Sequence, residues 1–150
     1  MKRNLTASFL SKANSPTVTM PRIKALVSGI VPNFVDIILN FDSKEFSQDN
    51  WIHQLHSLGK RINFFGDDTW IKLFPNSFHR SEGTTSFYVS DTVEVDLNVT
   101  RHVKKEIESD DWDLLIFHYL GLDHIGHLGG PNQLFSLFTF FFFFQKLRKK

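Results

Sequence analysis

The sequence predicts an α/β fold with a mostly parallel sheet covered by helices. Two apolar runs, 61–65 and 114–120, read as fully buried strands. The first ends at Gly66-Asp67-Asp68 and the second follows Asp110-Asp111-Trp112-Asp113. Between them, 96–108 carries Val99, Val103 and Ile107 every four residues, the spacing of an amphipathic helix. Helix and strand therefore alternate, the order that builds parallel sheets with both faces covered.

Three regions follow one another: a polar segment 1–15, a folded α/β unit 16–132, and a tail 133–150. In the folded unit, Thr19 precedes Met20 and Pro21, and Ile23, Leu26, Val27 and Ile30 then recur at helical spacing. Threonine as N-cap with proline in the first turn is a sound helix start. Gly29 or the Val31-Pro32 step ends that helix. A second helix is expected over 35–39 and a third over 48–58, closed by Gly59. A further strand is expected at 85–89.

Composition narrows the function. The chain has 150 residues, 41% hydrophobic and 22% charged, ordinary for one globular domain. A net charge of +1 with no basic stripe gives no reason to expect a nucleic-acid partner. Cysteine is absent, which excludes disulfides and thiolate metal sites. Residues 1–14 lack the apolar core of a signal peptide. Sequons stand at Asn4 and Asn98.

In open α/β sheets, sites form beyond the carboxyl ends of the strands. There the sequence places Asp123 and His127, ligand types that suit zinc or manganese, with Gly126 between them to let the backbone bend. Alone, Asp-x-x-x-His is a weak signal, because such residues more often cap turns or face solvent. Thr19 is the second candidate. A hydroxyl at a helix N-terminus can attack phosphorus where free amides and the helix dipole favour anions. The competing reading is a simple N-cap. His53, His56 and His102 are expected on solvated helix faces. His118 and His124 are expected in the core or beside the motif.

The string PTVTMPRIKALVSG (16–29) resembles the nucleophile motif of the phosphodiesterase-like branch of the alkaline phosphatase superfamily. LGLDHIGHLGGP (120–131) resembles that branch's Asp-x-x-Gly-His-x-x-Gly-Pro signature. GDDTWIKLFP (66–75) and EVDLNVTRHV (94–103) are similar to the enzymes that add ethanolamine phosphate to glycosylphosphatidylinositol (GPI) anchors. The resemblance covers about 15–132 and implies a partial alkaline-phosphatase-like sandwich. It implies that Thr19 is the nucleophile and one metal ligand, and that Asp123 and His127 bind the other metal. It also implies a divalent cofactor, zinc or manganese. The substrates would be phosphatidylethanolamine and a GPI glycolipid, with the second mannose as acceptor and a small membrane subunit as partner. The setting would be the lumenal side of the endoplasmic reticulum membrane. The resemblance assigns no role to Asp67, Asp68, Trp70 or Asp96, for which structural roles are expected.

The sequence also departs from that family. The stretch 1–15 holds no aspartate to match its first-strand ligand, and its later Asp-His-Gly-Met segment and transmembrane helices have no counterpart here. The expectation is a truncated, catalytically incomplete part. The alternatives are a soluble phosphodiesterase or sulfatase-like hydrolase, or a non-enzymatic product with a membrane-associating tail. In that tail, 134–144 is an apolar run ending in five phenylalanines, followed by a basic end at 146–150. Eleven residues are too few for a membrane span of about 20. The tail is expected to stand apart from the α/β core and to drive aggregation or peripheral membrane binding.

Overall fold

The computed structural model describes residues 18–31, 45–85, 90–121 and 123–125, and the backbone of 141–145. The elements run α1 (Thr19–Ser28), α2 (Trp51–Ser57), β1 (Ile62–Asp67), α3 (Thr69–Leu73), β2 (Arg80–Thr84), α4 (Glu94–Glu108), β3 (Leu114–His118) and β4 (Phe141–Gln145). The sheet order is β2-β1-β3-β4. β1 lies parallel to both β2 and β3, with Phe64 opposite Ser81 and Ile116. The expected α/β fold with a mostly parallel sheet is present.

Period-two alternation sorts the central strands onto two cores. Ile62, Phe64, Leu114 and Ile116 join Ile23, Val27, Ile52, Trp70, Leu73 and Phe74, from α1, α2 and the α3 segment. Phe65, Leu115 and Phe117 face the other way, against Val99 and Trp112. Every residue of β1 and β3 is buried, which is why both strands read as continuous apolar runs. At Gly66 the backbone has φ 151°, and a Cβ would stand 2.6 Å from the Cβ of His118. Only glycine lets the ends of β1 and β3 come this close.

Several boundaries differ from expectation. α2 begins at Trp51 rather than 48, because the Asn50 side chain accepts the His53 amide at 2.9 Å and caps the helix there. Gly59, at φ 68°, closes it as expected, and Gly29, at φ 73°, closes α1. A strand the sequence did not announce runs over Arg80–Thr84. Thr85 lies outside it, and 86–89 and the helix expected at 35–39 fall outside the described residues. α4 starts at Glu94 because the Asp91 carboxylate accepts the amides of Val93 and Glu94 at 3.2 and 2.8 Å. Its buried stripe is Val95, Val99 and Glu106, while Ile107 is exposed. At about 100° per residue, 106 falls about 20° from Val99 but 107 about 80° away. Glu106 is tolerated there because Asn63 Nδ2 and Arg80 Nη2 donate to its Oε2 at 2.8 and 2.7 Å.

The tail also departs from expectation. Phe141–Gln145 does not stand apart: it pairs antiparallel with β3, Phe143 opposite Ile116. The open edge of an apolar strand presents unpaired backbone groups, and the β-prone phenylalanine run satisfies them.

Candidate active site

Thr19 is the first residue of α1, and the N-cap is Val18, in extended conformation. The N-cap role expected of Thr19 is therefore taken by its neighbour. The Thr19 side chain is half-buried and makes no hydrogen bond among the described residues, so its hydroxyl is not consumed by capping. Arg22 follows one turn later on the same side of the helix, and its Nε is buried without a hydrogen-bond partner among the described residues. A hydroxyl, a guanidinium and the free amides of a first helical turn together favour an approaching phosphate.

The second predicted site segment follows β3. It is moored to α4 through Asp96 and to the segment just before α4 through Asp91. Asp96 Oδ1 accepts the amides of Leu120 and Gly121 at 3.0 and 2.8 Å. The buried ring of His124 brings Nδ1 to 2.5 Å from the Asp91 carbonyl oxygen. A Cβ on Gly121 would collide with the Thr92 carbonyl and the Asp96 carboxylate, so the chain passes the start of α4 too closely for any other residue. The His124 amide then bonds the Leu120 carbonyl at 3.0 Å, starting the helical turn that carries half-buried Asp123. Asp123 thus follows the carboxyl end of β3, as expected, while His127 lies outside the described residues.

The carboxyl end of β1 lies beside that of β3. Trp70 stacks on Phe64 at 5.3 Å and donates its indole N–H to His118 Nδ1 at 3.2 Å. Burial pushes the His118 imidazole down to about 3, so it is neutral. The fully buried Asp67 accepts the Thr69 amide at 2.8 Å through Oδ1, and its Oδ2 has no hydrogen-bond partner among the described residues. Burial raises its carboxyl above the usual range. Asp68 pairs with Lys72 at 2.7 Å. Asp67, Asp68 and Trp70 thus each make a contact that ties the end of β1 and the start of α3 into the fold. His102 is less solvated than its spacing suggested, stacking on Phe65 at 4.3 Å with Nε2 3.1 Å from Glu82. The Asn98 sequon lies within α4, not on a loop, and Asn4 is outside the described residues.

The donor types of Thr19, Asp123 and His127 suit a hard or borderline divalent ion. Among the described residues, no three acidic or histidine side chains are grouped so as to hold one. No helix among them is long and apolar enough to cross a membrane.

Curated proteins of one kind match the chain along most of its length. It is 56% identical over 133 residues to the GPI ethanolamine phosphate transferase 2 catalytic subunit of Homo sapiens, covering 89% of this chain and 14% of that protein. The GPI ethanolamine phosphate transferase 2 of Candida albicans is 57% identical over 132 residues, covering 83% and 15%. That of Aspergillus oryzae is 54% identical over 134 residues, covering 86% and 16%. The chain belongs to the GPI ethanolamine phosphate transferase 2 family. It spans about one seventh of the length of the human relative. No family model and no solved structure matches it. In this segment the sequence marks Thr19 and Asp123 as candidates but does not mark Asp91 and Asp96 as mooring groups. Their contacts reach 33, 24 and 25 residues along the chain, beyond any local spacing rule.

Proposed function

We propose that this chain forms part of the catalytic domain of an enzyme of GPI-anchor biosynthesis, in which Thr19 is the nucleophile. The donor would be phosphatidylethanolamine and the acceptor a mannose hydroxyl of a GPI glycolipid, the second mannose. The observation that carries the reading is the Thr19 hydroxyl, without a hydrogen bond among the described residues, on the first residue of α1. In the first step a Thr19 Oγ1–P bond forms, the P–O bond to diacylglycerol breaks, and the glycerol oxygen leaves with a proton. In the second, the mannose hydroxyl attacks phosphorus and Thr19 regains its hydroxyl. Arg22 and the first-turn amides of α1 hold the phosphoryl oxygens through both steps. Thr19, Asp123 and His127 would hold divalent metal, zinc or manganese, which when bound supplies charge stabilisation and a more acidic Thr19 hydroxyl. The setting is the lumenal face of the endoplasmic reticulum membrane, with a small membrane subunit as partner.

A chimera tests this. Residues 16–132 replace the matching segment of the human catalytic subunit, in cells lacking that subunit, and GPI glycans are read by mass spectrometry. The chimera should restore ethanolamine phosphate on the second mannose. Thr19→Ala should lower transfer by on the order of 10³-fold or more, while Thr19→Ser retains part of it. Transfer by Thr19→Ala at the rate of the unsubstituted chimera would sink the proposal.

A further inference from the structure

We infer that Asp96 is a positioning residue: its carboxylate clamps the start of the segment that carries Asp123 and thereby sets where the Asp123 ligand stands. This rests on the reading of Asp123 as a metal ligand. An acidic residue in the first turn of a helix ordinarily serves that helix, through its amides or its dipole. At the start of α4 the amides of Val93 and Glu94 are already taken by Oδ1 of Asp91, three residues before the helix. Asp96 is released to reach across, and its Oδ1 accepts both the Leu120 and Gly121 amides.

Those two amides would otherwise be stranded. Leu120 and Gly121 are both buried, beyond the last residue of β3 and before the next helical turn. A carboxylate that takes both fixes the direction in which the chain leaves the sheet. The same junction is tight on its other side, where Gly121 leaves no room for a Cβ beside Thr92 O and Asp96 Oδ2. His124, on Asp91 O, anchors the far end of the turn. Asp123 sits in sequence between these two moorings. A ligand held this way is placed before the ion arrives, which is what outer groups contribute to metal affinity.

The test uses the full chain with Asp96→Ala, Asp96→Asn and Asp123→Ala. Amide exchange is followed by NMR, and zinc alone is titrated by calorimetry. Asp96→Ala should speed exchange at Leu120 and Gly121 by about tenfold or more while Phe64 and Leu115 keep their rates. It should weaken zinc binding by about 10- to 100-fold. Asp96→Asn keeps an acceptor oxygen and should recover most of both. Uniformly faster exchange would make Asp96 a stability residue only and overturn the inference. So would unchanged rates at Leu120 and Gly121, or lost protection with zinc affinity intact. Absence of zinc binding by the unsubstituted chain, or its survival in Asp123→Ala, would defeat the metal reading of Asp123 itself. The exchange arm would still decide the clamp.

Discussion

Trp70 donates its indole N–H to His118 Nδ1 at 3.2 Å, joining the helix after β1 to the last residue of β3. An accepting Nδ1 belongs to a neutral imidazole, and burial holds His118 in that state by lowering its pKa from 6.5 to about 3. The contact fixes the two strand ends from which the candidate site is built.

This buried histidine sets a pH dependence. Between about 3 and 6.5 the unfolded chain takes up a proton at His118 that the folded chain does not. Its contribution is therefore complete above 6.5 and is lost as pH falls toward 3. The slope approaches about 1.4 kcal/mol per pH unit inside that window. Denaturant melts of the parent and His118→Gln should differ in slope by that amount. Parallel curves would show that His118 is not buried neutral.

Asp67 acts in the opposite sense. Its raised carboxyl favours the folded state below the unfolded value of 3.8, and that advantage is lost as pH rises through the folded value. Ionisation leaves a buried carboxylate with one oxygen that has no hydrogen-bond partner among the described residues. Asp67→Asn keeps an acceptor for the Thr69 amide and removes the charge. It should raise stability at pH 7 by about 1–2 kcal/mol, with the gain shrinking in acid. A loss of stability at pH 7 would mean that the carboxylate has a partner it needs, such as a bound cation.

These two residues also mark what a linear sequence reveals. β1 and β3 were readable because burial on both faces demands continuous apolar runs. β2 was not, because Arg80-Ser81-Glu82-Gly83-Thr84 is a mostly exposed edge strand held by its backbone pairing to β1. The helix expected over 96–108 is present but its face is rotated: Glu106 replaces Ile107 in the buried stripe through the partners Arg80 and Asn63, far away in sequence. Thr19 and Asp123 stood out through their strings, whereas Asp96 acts through two amides that no spacing rule connects to it.

The phenylalanine strand carries a reversed expectation. Because Phe141–Gln145 covers the edge of β3, removing it exposes Leu114–His118 as an open apolar strand. Deletion of 134–150 should increase aggregation in light scattering and speed amide exchange along β3. A deletion variant that is more soluble, with β3 protection unchanged, would contradict the pairing.

The most direct measurement of the central claim is capture of the threonine intermediate. The chimera bearing residues 16–132 is given phosphatidylethanolamine labelled in its ethanolamine, quenched in acid, digested and mapped by mass spectrometry. The account predicts label on the peptide containing Thr19, absent in Thr19→Ala and diminished in Asp123→Ala. Label on another residue, or turnover by the Thr19→Ala chimera at the parent rate, would contradict it.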